Sequence, residues 1–415
     1  MNADMLLTGT MDDLVTTRTA SLPSPAELQL IFEALSKFIT QYESSPKDEK
    51  REILKHIQDA AISLARTSAS PMESLMSFLF QPHHNACVRV AIGMGVFDHI
   101  TAHGGPLSLE LLAEKTRSEP EFVFRILRAL VAMDILHESQ PGYYSHTPLS
   151  ELLADSGIQA YAVHQWDNIN FCMSQFGSYF EKHGYRSPAD PKNAPFTCAM
   201  GMENASFFEI LELNPTRMDV FNRGMAGLNT GVVALYDFGS LENISQEAVA
   251  IVDVGGGNGH TLLEILDTFP ALKGRCVLQD LPAVLHGNVA IPDGDICLQP
   301  YDFFREVQPV KGAAIYLYKW IFHDWPDADC RTILRNLSPA MKNTASKLLI
   351  CDIVIADHNP EIDKVHYDIN MLCIAGKERS LTEWDNLLRS TGFRIVQVHS
   401  KLSSTKSIIE AILGD

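Results

Sequence analysis

The chain has 415 residues, enough for two domains that each bury a full core. With 51 acidic against 33 basic residues its formal net charge is -18, and no basic run offsets it locally, so nucleic acid is not an expected partner. The eight cysteines include no Cys-x-x-Cys pair, which excludes a zinc cluster or redox dithiol by spacing, and no apolar run approaches the roughly 20 residues that span a bilayer, so neither a metal nor a membrane is expected.

Residues 1–25 mix Thr, Ser, Pro and Asp without periodicity and read as a loose arm. Their start, Met1-Asn2-Ala3-Asp4, lacks a basic segment followed by an apolar one, so a cytoplasmic location is the expectation. From Glu27 to Ala65 the residues Leu28, Ile31, Leu35, Phe38 and Ile39 recur at helical spacing, and the stretch Ser44 to Asp48 divides two helices, a hairpin or dimer arm. Between Ala86 and Leu153 the pattern predicts helices over Val88 to Ile100, Leu109 to Lys115 and Glu119 to Met133. Extended segments Ile135 to His137 and Tyr143 to His146 then flank Gln140-Pro141-Gly142. Helix, turn, helix and ribbon form a winged-helix outline. The last helix opens with Glu119, Glu121 and Phe122 where a reader of phosphates would carry Lys or Arg, so dimerisation or covering a substrate is the expected role.

A helical bridge runs from about Gln159 to Asp237, and the rhythm changes at Ala248. Strand-length apolar runs at Ile251 to Val254, Cys276 to Leu278, Ala313 to Leu317, Leu348 to Val354 and Phe393 to Val398 alternate with helical patterns at Thr261 to Thr268, Asp327 to Met341 and Leu381 to Thr391. Buried strands alternating with amphipathic helices specify an α/β fold, a mostly parallel, doubly wound sheet covered on both faces. The resulting division is an arm at 1–25, a mainly helical, winged-helix-like domain at 26–240 and the α/β domain at 241–415.

Val252-Asp253-Val254-Gly255-Gly256-Gly257-Asn258-Gly259-His260 ends a strand and opens a helix, the place where a doubly wound sheet binds its ligand. The third glycine of a dinucleotide fingerprint is replaced by His260, and the Gly-Lys-Ser/Thr of a P-loop is absent. An uncharged loop after an acidic strand residue, Asp253, suits a cofactor with a cationic amino-acid end, such as a sulfonium nucleoside. About twenty residues on, Asp280 ends the next strand and can accept both hydroxyl protons of a ribose. A further strand end, Tyr301-Asp302-Phe303-Phe304, offers a carboxylate for an exocyclic amine and an aromatic face for a purine.

The segment Tyr318-Lys319-Trp320-Ile321-Phe322-His323-Asp324-Trp325-Pro326-Asp327 follows the glycine loop and Gln279-Asp280-Leu281-Pro282 in the order seen in plant and fungal small-molecule O-methyltransferases, which the chain resembles over roughly residues 75 to 415. Phe221-Asn222-Arg223-Gly224-Met225 and Gly376-Lys377-Glu378-Arg379-Ser380-Leu381-Thr382-Glu383-Trp384 extend the likeness. The resemblance implies a Rossmann-like domain that binds S-adenosylmethionine, a winged-helix dimerisation domain, and a homodimer whose N-terminal helices interlock over the sites.

It further implies that His323 is the general base, that Asp352 and Glu378 flank it, and that Gly255, Gly257, Asp280, Asp302, Phe303 and Lys319 contact the cofactor. An imidazole titrating near neutrality suits removal of a hydroxyl proton. The family usually carries Glu where this chain has Asp352, one methylene shorter. The expected acceptor is a hydroxylated aromatic or polyketide-type secondary metabolite, with Trp166, Phe171, Met173, Phe176, Phe207, Phe208, Met218 and Met225 as candidate pocket residues. An alternative on the same scaffold is a pericyclase or dehydratase that uses the bound sulfonium as a fixed charge, with His83, His84 or His164 polarising a substrate carbonyl.

Overall fold

A computed structural model describes residues 23–47, 49–228, 231–245, 248–285, 291–341, 345–401 and 404–414. The expected arm at 1–25 falls, up to residue 22, outside the described residues. The chain divides into two units, the described residues up to Asn85 with Ser404, and the rest.

In the first unit the expected hairpin is present as helices Pro25–Ser44 and Lys50–Ser68. Ser24 and Glu27 form a reciprocal capping box at the start of the first, with Pro25 in its opening turn, so the free backbone N–H groups there are partly satisfied and the helix start is fixed. A third helix, Pro71–Leu79, is capped the same way by Ser70 and Glu73 and buries none of its residues within this chain.

The second unit, from Ala86, departs from the expectation at its first helical segment. The single helix predicted over Val88 to Ile100 is two, Gln81–Met94 and Val96–His103, because Gly95 adopts φ 70° between them, a left-handed turn that glycine allows without a Cβ clash. Then come β1 (Leu107–Ser108), helices Leu109–Thr116 and Pro120–Ala132, β2 (Leu136–Gln140) and β3 (Tyr143–His146). These strands pair in the order β1-β3-β2 around a core that includes Phe97, Leu112, Val123, Leu127, Leu130 and Tyr144, the expected winged-helix outline. Glu119, Glu121 and Phe122 lie exposed at the start of helix Pro120–Ala132.

The larger sheet contains β4 (Ile251–Val254), β5 (Cys276–Asp280), β6 (Ile296–Pro300), β7 (Ile315–Lys319), β8 (Lys347–Ile355), β10 (Phe393–Ser400) and β11 (Lys406–Leu413), in the order β10-β11-β8-β7-β4-β5-β6, with β9 (Arg379–Ser380) pairing β8. All strands from β4 to β8 pair in parallel, and β11 lies antiparallel between β8 and β10. Five strands match the expected runs. The edge strand β6 ends just before Tyr301, where a further strand end was expected, but its bounds were not predicted, since it buries only Ile296; β11 was not predicted.

Alternation along the strands sends Ile251, Ile315, Leu317, Leu349, Cys351 and Ile408 to one face, beneath Leu262, Ile265 and Leu266 of helix His260–Thr268. Val252, Val254, Tyr316, Tyr318, Leu348, Ile350 and Ile409 take the other, against Ile333, Leu334, Leu337, Trp384 and Leu387. Each fully buried aliphatic side chain contributes about 1.5–3 kcal/mol relative to exposure, so both layers fix the register that aligns the strand ends.

Candidate active site

The glycine turn leaves β4 with Gly255, Gly257 and Gly259 at φ 70°, 57° and 75°, all left-handed. A Cβ on Gly255 would lie 2.5 Å from Ile321 Cδ1, and one on Gly256 would strike Leu278 and Asp253, whereas Gly257 faces open space. The turn is thus packed shut on one side and open on the other, which allows a ligand to approach the main chain. Asp280, at the tip of β5, binds the turn directly: one oxygen accepts from Gly257 N at 2.8 Å and the other from Leu281 N at 2.7 Å. Burial pushes its pKa up while these two donors oppose the shift. Each oxygen keeps a lone pair for a further donor.

Beneath the turn lies Asp253, 1% exposed, with neither oxygen hydrogen-bonded. Burial pushes its carboxyl up to about 7 against the pull of the Lys319 ammonium. A buried carboxylate in this condition is costly and calls for a cationic neighbour. Asp302 accepts from Phe304 N at 2.9 Å and lies 3.3 Å from Arg305 Nε. The Phe303 ring packs beside Gly255, with its centroid 4.8 Å from Phe304 and 6.5 Å from Trp325. Lys319 ends β7 with Nζ 4.2 Å from the centre of the Trp320 ring, its pKa lowered to about 8 by burial first and by Lys406 next. A glycine cradle, an acid at the second strand tip, an aromatic face and an unpaired buried carboxylate fit a nucleoside with a cationic amino-acid end.

His323 sits in the short turn Phe322–Asp324 and is 8% exposed. Its Nδ1 is 2.7 Å from Glu378 Oε1, and its Nε2 is 3.6 Å from Asp324 Oδ1. Asp352 is fully buried nearby, but neither of its oxygens makes a hydrogen bond. Of the two expected flanking acids, therefore, Glu378 touches the imidazole and the shorter Asp352 acts on it through charge. Burial by itself would lower the imidazole pKa, but the negative charges of Glu378, Asp324 and Asp352 outweigh it and raise it to about 10. Burial likewise raises Asp324 to about 7 and Asp352 to about 6.

Two positioning features were not read from the sequence. Arg379, 1% exposed, donates to Phe322 O at 3.0 Å, Trp325 O at 2.9 Å and Asp327 Oδ1 at 2.8 Å, closing the loop that carries His323. Gly376 passes so close that a Cβ would collide with His323 O, while Lys377 N donates to that oxygen at 2.7 Å. Both lie in the motif containing Glu378; the motif marked the segment, but only the fold shows what it clasps. Contacts of Gly255 with Ile321 and of Phe304 with Trp325, at 4.7 Å between ring centroids, set the imidazole's loop against the glycine turn.

An apolar cluster adjoins this loop through Phe208, whose ring lies 6.2 Å from Trp325. Phe196, Phe207, Ile210 and Cys373 are buried in it, with Met173, Phe176, Phe208, Met218, Phe221 and Met371 partly exposed around them. Met173, Phe176, Phe207, Phe208 and Met218 were among the pocket candidates; Trp166, Phe171 and Met225 are not in the cluster. His83 and His84 are exposed on helix Gln81–Met94. His164 is 4% exposed, pairs through Nδ1 with Asn168 Nδ2 at 2.9 Å, and is held neutral near 4 by burial and Arg217.

A mostly parallel sheet with this turn, this strand-end acid and the His323–Glu378 pair has the architecture of a class I S-adenosylmethionine-binding enzyme. Residues 186–394 match the O-methyltransferase domain and residues 76–156 the O-methyltransferase dimerisation domain. The O-methyltransferase penK of Penicillium thymicola is 34% identical over 357 residues, 84% of this chain and 82% of its own length. The O-methyltransferase asqN of Emericella nidulans is 35% identical over 68% of this chain and 99% of its own. Among solved structures, OxaC in complex with SAH and oxaline superposes with a TM-score of 0.83 at 25% identity, covering 94% of this chain and 99% of that one. LepI in complex with SAM gives 0.82 at 23% over 94% and 100%, a likeness of fold. The chain belongs to the S-adenosylmethionine-dependent O-methyltransferases, with S-adenosylmethionine as its cofactor. The dimerisation-domain match supports a homodimer, and no helix among the described residues is long and apolar enough to cross a membrane.

Proposed function

We propose that this enzyme methylates a hydroxyl of an aromatic or polyketide-type secondary metabolite, with His323 as general base. The observation that carries the reading is the 2.7 Å contact between His323 and Glu378, on a loop packed against the glycine turn. With Nδ1–H donated to Glu378, the tautomer is fixed and Nε2 is left to take the acceptor's proton. The nearby acids raise the imidazole to about 10, above the near-neutral titration expected from the sequence. Near neutral pH most of it is therefore imidazolium in the free enzyme, and the base acts from the neutral fraction, which grows as pH rises toward about 10.

S-adenosylmethionine supplies a methyl carbon already made electrophilic by its sulfonium. Gly255 and Gly257 would cradle it, Asp280 would hold its ribose, Asp302 and Phe303 its adenine, and Lys319 would flank its amino-acid end. The chain's remaining task is alignment and exclusion of water. The Phe- and Met-rich cluster beside Trp325 suits a flat apolar acceptor. In the homodimer, the N-terminal helices would interlock over the sites; Met72, Leu75, Phe78 and Leu79 on helix Pro71–Leu79 are exposed in the single chain and supply apolar surface for it. Residues 26–240 would then serve dimerisation and cover the substrate, and residues 241–415 carry the chemistry.

The test is incubation with S-adenosylmethionine and a panel of phenols and polyketide or pyridone alcohols, followed by mass spectrometry. A gain of one methyl with release of S-adenosylhomocysteine is expected, and His323→Ala should abolish it while leaving S-adenosylhomocysteine binding intact. A product of unchanged mass that still requires the cofactor would favour the pericyclase, and undiminished turnover by His323→Ala would remove the base.

A further inference from the structure

Trp320, the residue after β7, holds φ 55°. A bulky side chain adopts this left-handed backbone only where its surroundings impose it, at about 1–3 kcal/mol. Two ammonium groups lie over its ring, Lys319 Nζ at 4.2 Å and Lys406 Nζ at 4.5 Å from the centroid. Strand register explains the convergence: Lys319 pairs with Cys351 where β7 ends, and Lys406 lies opposite Ile353 where the antiparallel β11 begins. Both therefore emerge at the edge of the sheet from which the glycine turn leaves β4.

Alternation also puts them on the face of Asp253. Asp253 is two residues from Ile251, Lys319 two from Leu317 and Lys406 two from Ile408, and those three aliphatics share one core layer. Lys406 Nζ also donates to Leu228 O at 3.2 Å, at the end of helix Pro215–Gly227.

Two like charges in a half-buried site repel each other, and the lowered pKa of Lys319 reflects burial together with Lys406. Cation–π attraction, about 0.5–2 kcal/mol for each ammonium, offsets part of this. A bound anion between them would offset more. S-adenosylmethionine has one anionic group, the α-carboxylate, and its neighbouring α-ammonium calls for a negative field such as that of Asp253.

We propose that Lys406 joins Lys319, the two held over the Trp320 ring, as the receptor for the cofactor's α-carboxylate, with Asp253 supplying the field for the α-ammonium. The assignment rests on the placement of the cofactor at the glycine turn. It is tested by calorimetric titration of the full-length protein with S-adenosylhomocysteine and with 5′-deoxy-5′-(3-aminopropylthio)adenosine, which lacks only the carboxylate. The wild type should bind the first at least about tenfold more tightly. Lys406→Met should remove most of that preference, leaving the amine analogue within about twofold, and Lys406→Arg should retain it. Wild-type protein that binds the two alike overturns the proposal whatever the variants do, as does a folded Lys406→Met that keeps the preference or weakens both ligands equally. Should Lys406→Met fail to fold, as judged by its melting curve, Lys406→Gln and the wild-type comparison decide. Wild-type protein that binds neither ligand would overturn the cofactor placement itself.

Discussion

Replacing Glu378 by Gln removes one negative charge beside His323 and keeps an oxygen that can accept from Nδ1. At 2.7 Å and an effective dielectric near 20, that charge pair is worth roughly 6 kcal/mol. The net rise of the imidazole from 6.5 to about 10 corresponds to roughly 5 kcal/mol. The partner's share is as large as the whole net shift because it must first cancel the effect of burial. Glu378→Gln should therefore bring the imidazole's titration down by at least about 2 pH units, with Asp324 and Asp352 sustaining what elevation is left. The assay is long-range 1H–15N NMR of histidine-labelled protein across pH, which needs no acceptor.

The linked stability follows the same sign. A histidine raised on folding contributes stability that is complete below 6.5 and is lost as pH rises through about 10, so the wild type should lose stability over that window and the variant much less. Asp352 and Asp324, raised to about 6 and about 7, likewise stabilise at low pH and lose that contribution as pH climbs from 3.8 through those values. A wild-type imidazole titrating near 6.5, or a variant within about half a unit of wild type, would refute the reasoning.

Asp280→Ala should weaken S-adenosylhomocysteine binding by about 10–100-fold in calorimetry, through lost ribose acceptance and a loosened Gly257 turn; unchanged affinity would show that the ribose lies elsewhere. Gly255→Ala places a Cβ against Ile321 at a left-handed φ and should cost about 1–3 kcal/mol in denaturant unfolding, which an unshifted midpoint would contradict. Arg379→Met removes the buried donor of Phe322 O and Trp325 O and of the half-exposed Asp327, and should destabilise by about 2–4 kcal/mol. A melting temperature equal to wild type would mean that the loop of His323 is held by something else.

The sequence by itself determined the α/β half and its ligand turn. Ile251 to Val254 alternates with helical spacing from Thr261 onward, and glycines at 255, 256 and 257 mark a sharp turn, although only the structure shows that Gly255 and Gly256 answer close packing while Gly257 faces open space. Asp280, Phe303 and His323 could be named because their motifs are local, each a few residues at a strand end. The helix break at Gly95 escaped, since an isolated glycine within an apolar period is compatible with either a continuous or a divided helix. The edge strand β6 showed only its end in the sequence because most of its side chains are exposed, and β11 escaped because it is buried without alternation, so its short apolar run does not distinguish strand from helix. Tertiary structure alone decided which acid reaches the imidazole: Glu378 lies 55 positions from His323 and touches it, whereas Asp352 makes no hydrogen bond and acts through its charge. It also decided that Arg379 closes the loop of His323 and that Lys406 meets Lys319 over one indole. Such convergences depend on strand order and register, which follow from burial summed over the whole sheet and so leave no signature in any short stretch of residues.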